Sequence, residues 1–157
     1  MNLLKTFAKP LPLLACFVSY ALAQEPTNND RFMRAFTELS SAIAIKKGLD
    51  NDALCKGKAY KDFNLDEAID SIPDSKFKDD KERLKMKSEL PSQFSTLLET
   101  KLPDGRPVYQ QAYQQILAAY KSGGIISNVK DAHCEVMYQA ATIIFQNAKN
   151  NLRLLGK

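Results

Sequence analysis

Residues 127 to 145 read SNVKDAHCEVMYQAATIIF, and the fold class turns on this stretch. Val129, Ala132, Val136, Ala140 and Ile143 recur at intervals of three and four, the repeat of one helix face, and Met137, Ala141, Ile144 and Phe145 widen it. Ser127 stands where a cap is expected, with a hydroxyl to accept a backbone N–H of the first turn. A helix apolar over so much of its circumference is covered on several sides, so the rest of the chain must supply elements to surround it.

Those elements are read by working upstream. Tyr109, Tyr113, Ile116 and Tyr120 follow the i, i+4, i+7, i+11 rule and stop at Gly123-Gly124. Before them Phe94, Leu97, Leu98 and Leu102 make a stripe that closes at Pro103-Asp104-Gly105, where proline fixes one φ and glycine accepts a positive one. Asp74 to Leu90 is charge-dense and reads as an exposed helix that Pro91 ends or kinks. Asn64 caps a short helix with Leu65, Ala68, Ile69 and Ile72 on one face, stopped by Pro73. Asp52 to Tyr60 carries Cys55 in a shorter segment interrupted by Gly57. The first helix is capped by Asp30, runs through Phe32, Phe36, Leu39 and Ile43, has Lys46 and Lys47 in its last turn and ends before Gly48. No run alternates as a strand does, and no Asn-Gly hairpin signal occurs. The expected fold is all-α: a compact bundle of four to six helices around a buried C-terminal helix.

Met1 to Ala23 has Lys5 and Lys9 near its start, an apolar run, and small residues at Ala21-Leu22-Ala23, the pattern of a signal peptide cleaved before Gln24. The apolar run is too short to span a bilayer, which needs about 20 residues, so no stable membrane insertion is expected after cleavage. Leu13-Leu14-Ala15-Cys16 is the competing reading, a lipidated cysteine, but it would leave an apolar tail where a polar tether is expected. The domain layout is therefore a signal peptide over 1–23, a flexible tail over 24–29 and one helical domain over 30–157. Removing Lys5 and Lys9 leaves 20 basic against 18 acidic residues, a net charge of +2, which is no signature of a nucleic-acid binder.

Cleavage also removes Cys16 and leaves Cys55 and Cys134, two cysteines in a chain routed to an oxidising compartment, periplasmic or secreted. A bridge between them closes a long loop, for which chain entropy sets an upper figure of roughly 4 to 5 kcal/mol. His133 beside Cys134 suggests a thiolate–imidazole pair, but helix neighbours point about 100° apart. As a metal ligand His133 stands alone, whereas zinc takes three or four. There is no haem-attachment Cys-x-x-Cys-His, no Gly-x-Ser-x-Gly elbow and no glycine-rich phosphate loop. No catalytic, cofactor-binding or metal set is expected, and the reading is of a protein that is not an enzyme.

Binding is what remains. Arg106 lies in a loop stiffened by Pro103 and Pro107, where presenting it costs little ordering entropy, and Tyr109 and Tyr113 follow on the adjoining helix. These three are the candidate partner-binding residues. The expected partner is another exported protein, a toxin or cell-wall hydrolase, with this chain as its inhibitor or immunity protein; a homodimer is also possible. As a class, a small exported helical domain with one disulfide and no catalytic set resembles the periplasmic immunity proteins of contact-dependent and type VI secretion systems. The alternatives are a small periplasmic chaperone or carrier with an apolar groove between helices, and an enzyme of undefined type. Material from the exported fraction is expected to have an intact mass beginning at Gln24, and acyl chains on Cys16 would replace that assignment with lipidation.

Overall fold

The computed structural model describes residues 26–127 and 129–156; the signal-peptide reading of 1–23, with Cys16 and the Gln24 cleavage point, lies outside them. Five α-helices occur among the described residues, with no strand longer than an isolated bridge. Helix α1 spans Asn28–Asn51, α2 Leu65–Asp70, α3 Asp80–Glu99, α4 Val108–Ser122 and α5 Ala132–Arg153. The all-α class, the helix number and the Cys55–Cys134 pairing agree with the sequence reading.

Helix α1 starts earlier than expected. Thr27, not Asp30, is the cap: its Oγ1 accepts from Asp30 N–H at 3.1 Å while Thr27 N–H donates to Asp30 Oδ2 at 3.1 Å. Asp30 is the third helical residue of this capping box, so Asn28 and Asn29 are helical and not tail. The helix also runs through Gly48 to Asn51. Glycine inside a helix costs roughly 0.5–1 kcal/mol relative to alanine, and it is needed here because α4 lies against it: a Cβ at Gly48 would sit 2.2 Å from Tyr113 Cγ.

Helices α1 and α5 form the spine. They run antiparallel, since Asn28 Oδ1 accepts from Gly156 N–H, Glu38 from Asn151 Nδ2, and Cys55 just beyond α1 meets Cys134 at the start of α5. Fully buried alanines face the seam at intervals of seven, Ala35 and Ala42 on α1, Ala141 and Ala148 on α5, and their small side chains let the two helices approach closely. This seam turns α5 away from its expected orientation. The face it buries runs through Cys134, Met137, Ala141, Phe145, Ala148 and Leu152; of the expected stripe Ala140 is buried, Ile143 is exposed, and Val129 lies before the helix and is exposed. Nor does Ser127 cap it: the cap is Asp131, in the left-handed region at φ 60°, paired with Lys58 at 3.2 Å.

Helix α3 continues through Pro91, where an end or kink was expected. An interior proline costs about 3 kcal/mol or more. Against that, Met86, Leu90, Phe94 and Leu98 form one buried face that crosses the proline without a break, each burial contributing roughly 1.5–3 kcal/mol. Phe94 also stacks on Phe36 of α1 with ring centres 4.7 Å apart. The sum favours one continuous helix. Its start is later than read, at Asp80 with Asp79 as cap, after a single 3-10 turn over Asp74–Lys76. Arg83 in its first turns donates to the Ile69 and Ile72 carbonyls at the end of α2, a cation placed where that helix's dipole favours one.

Residues 53–57 form a turn and 58–63 an irregular stretch instead of the short helix read over Asp52 to Tyr60, and the segment is tied down at three points. Cys55 is bridged to Cys134. Lys46, nearly buried, donates to Asp50 and to Asp62; burial pushes its amine down, but the two carboxylates outweigh that and hold it above its ordinary range. Tyr60 and Phe63 stack on Tyr138 and Phe145 at 4.4 and 4.9 Å between ring centres.

Gly48→Ala is expected to reverse the usual gain from replacing a helical glycine, lowering stability by about 1–3 kcal/mol through overpacking against Tyr113. A fall in the urea midpoint at unchanged helical circular dichroism is the check.

Candidate functional site

The segment between α3 and α4 presents the residues singled out for binding. Leu102 N–H donates to Arg106 O at 2.8 Å, Gly105 N–H to Leu102 O at 2.8 Å, and Val108 N–H to Thr100 O at 3.0 Å, closing the loop into a small rung between Lys101 and Pro107. Gly105 takes φ 82°, the left-handed conformation that the Pro-Asp-Gly sequence announces. Asp104 Oδ1 accepts from Arg106 N–H, and its Oδ2 accepts from both Nε and Nη2 of Arg106, at 2.8 and 2.6 Å. Gln114 on α4 accepts from Nη1 at 3.0 Å. These bonds from Arg106 hold the Asp104 carboxyl below the usual carboxylate range. Arg106 is exposed, yet its guanidinium is set in one place by two neighbours.

Tyr109, half-buried on the first turn of α4, lies under the Lys47 ammonium, 5.3 Å from the ring centre, and Lys47 also pairs with Glu99. Tyr109, Lys47 and Glu99 thus join α4, α1 and α3 beside one another, while Arg106 is held separately by Asp104 and Gln114. Tyr113 is corrected: it is buried, packed on Gly48, and is an interior residue rather than part of a binding surface.

The Tyr113 hydroxyl leads to a group that the sequence reading passed over. It donates to Asp52 Oδ2 at 2.8 Å, and burial together with that carboxylate pushes the phenol well above its ordinary pKa. Asp52 Oδ2 is also 2.8 Å from His133 Nε2, which must be the donor because an ionised carboxylate only accepts. Asp52 Oδ1 accepts from Leu54 N–H at 2.9 Å. Burial alone would raise the Asp52 carboxyl, but the hydrogen bonds from His133, Leu54 and Tyr113 outweigh it and leave the group below the usual carboxylate range.

Behind this carboxylate stands the disulfide. Cys55 and Cys134 are bonded at 2.06 Å, and His133 Nε2 is 3.4 Å from Cys55 Sγ and 3.9 Å from Cys134 Sγ. The closer approach is to the distant cysteine, not to the chain neighbour, in keeping with the divergence of adjacent helical side chains. Both sulfurs are consumed by the bridge, so no thiolate nucleophile exists in this form. The pair Asp52-x-x-Cys55 and His133-Cys134 was the available sequence signal, two short polar motifs joined by the predicted disulfide.

The described apolar cavity, between Phe32, Phe36, Leu39, Ile69, Met86 and Leu90, has a volume of about 30 Å³. That is room for a water molecule or so, not for an apolar peptide segment. No described helix is long and apolar enough to cross a membrane. Set against known proteins, the chain matches no family model, no curated protein and no solved structure.

Asp52→Asn keeps an acceptor for Tyr113 but removes the charge, and is expected to cost about 1.5–3 kcal/mol at neutral pH. Because the folded pKa lies below the unfolded value of about 3.9, the carboxylate's contribution is complete above that value and is lost as pH falls through the folded pKa. Urea unfolding of both proteins should show the gap constant near neutrality and shrinking below about pH 4.

Proposed function

We propose that this protein works by binding, as an inhibitor or immunity protein directed at an exported toxin or cell-wall hydrolase, without chemistry of its own. The observation that carries the reading is the held guanidinium of Arg106: it is exposed on a hydrogen-bonded loop and oriented by Asp104 and Gln114. An arginine already placed loses little side-chain freedom when a partner covers it, and arginine and tyrosine are the residue types that dominate binding hot spots. Tyr109, on the first turn of the helix that follows the loop, and the Lys47–Glu99 pair beside it add mixed polarity, the composition of a transient interface rather than an obligate one. An enzyme of a cell-wall compartment that offers acidic groups in its cleft is the natural counterpart of a projecting arginine.

Affinity capture from the native exported fraction, run in parallel with wild type and Arg106→Ala, tests the reading. The wild type is expected to retain a hydrolase or toxin and to inhibit it, while Arg106→Ala folds normally and binds more weakly by about 1 kcal/mol or more. Equal capture and equal inhibition by both proteins would place recognition on another surface.

A further inference from the structure

The buried centre at the junction of α1, α4 and α5 contains more than a disulfide. Cys55 Sγ, Cys134 Sγ and His133 Nε2 all lie within 4.8 Å of one another and are buried, and Asp52 Oδ2 is 2.8 Å from that same nitrogen. Two sulfurs, an imidazole nitrogen and a carboxylate oxygen are the donor types that zinc(II) takes in four-coordinate sites.

Distances carry the case further than composition. With Zn–S near 2.3 Å and Zn–N and Zn–O near 2.0–2.1 Å, the edges of a regular tetrahedron come to about 3.6 Å for sulfur to nitrogen, about 3.3 Å for nitrogen to oxygen and about 3.8 Å for sulfur to sulfur. The observed sulfur–nitrogen separations are 3.4 and 3.9 Å and the nitrogen–oxygen separation is 2.8 Å. All three are within about 0.5 Å of their target. The sulfur–sulfur edge is far from its target because the two atoms are bonded to each other, and the Asp52 carboxylate, outside the 4.8 Å group formed by the two sulfurs and the imidazole, must close on the sulfurs once that bond opens. Asp52 is the member reached by solvent, its side chain 17% exposed against 7% for His133, and so marks an entry path.

We propose that with the bridge opened Asp52, Cys55, His133 and Cys134 bind one zinc ion. The same four residues then join the end of α1 to the start of α5 in two ways, by a covalent bond in oxidising surroundings and by a metal in reducing ones. Opening the bridge takes two electrons and two protons from a dithiol reductant, which is left as a disulfide, and yields two thiols. Zinc binding releases both thiol protons to solvent. The His133 proton that faces Asp52 moves to Nδ1, freeing the Nε2 lone pair for the metal. Two thiolates, a neutral imidazole and a carboxylate around the dication leave the centre with one negative charge.

The test uses the full chain, unfolded and reduced with a phosphine, returned to anaerobic metal-free buffer and titrated with Co(II) as the spectroscopic stand-in for zinc. Expected is one equivalent bound with the visible bands of tetrahedral cobalt and a thiolate charge-transfer band, all removed by Zn(II). The oxidised protein is expected to show none of this. His133→Ala and Asp52→Asn should each weaken binding to the reduced chain by about tenfold or more and change the band pattern. Cobalt spectra of octahedral type would overturn the proposal, as would spectra and affinity that are the same in both variants as in wild type, which would mean adventitious chelation by two thiols. Should the reduced chain stay unfolded without metal, recovery of helical circular dichroism on adding zinc supports the proposal, and failure to recover it refutes it.

Discussion

Asp52 sits where α1 stops, and its carboxylate accepts hydrogen bonds from three directions: Leu54 in the following turn, Tyr113 on α4 and His133 on α5. A carboxylate withdrawn from water is costly unless its acceptor sites are filled. Here the filling groups come from three separate parts of the chain, so desolvating one charge obliges all three to meet. Gly48, one turn earlier on α1, lets Tyr113 come close enough to reach it. The disulfide lies directly behind, and the segment that follows α1 is locked against α5 as a result.

The proposed binding face depends on this centre although it does not touch it. Helix α4 is anchored through Tyr113, and the same helix carries Tyr109 and Gln114 outward, one beside Lys47 and the other accepting from Arg106. Movement of α4 relative to α1 would separate Tyr109 from Lys47 and turn Gln114 with it. A stiff interior thus supports a surface arginine whose own contacts, being exposed, contribute little to stability. That division of labour suits a binder: the groups that hold the fold are distinct from those offered to a partner.

Two apparent helix breakers show how packing overrules local preference. Pro91 lies inside α3 because the apolar face on either side of it is worth more, buried, than the hydrogen bond the proline lacks. Gly48 lies inside α1 because a larger residue there would collide with Tyr113. In both cases the residue type alone points to an end, and the tertiary neighbour decides otherwise.

Sequence by itself determined the helical class, the short capped α2, the Pro-Asp-Gly turn and the pairing of Cys55 with Cys134, since each rests on local spacing, backbone chemistry or simple elimination. It also singled out Arg106 as a loop residue. Tertiary structure alone decided which face of α5 is buried, because two adjacent apolar stripes satisfy the same periodicity and only the alanine seam against α1 separates them. The same holds for Tyr113, whose amphipathic ring suits an interface or a core equally well until Gly48 and Asp52 are placed beside it. Asp52 and His133 are 81 positions apart and meet through the fold. No local pattern encodes a contact of that range; it arises when buried charge, ring and bridge must all be satisfied in one volume.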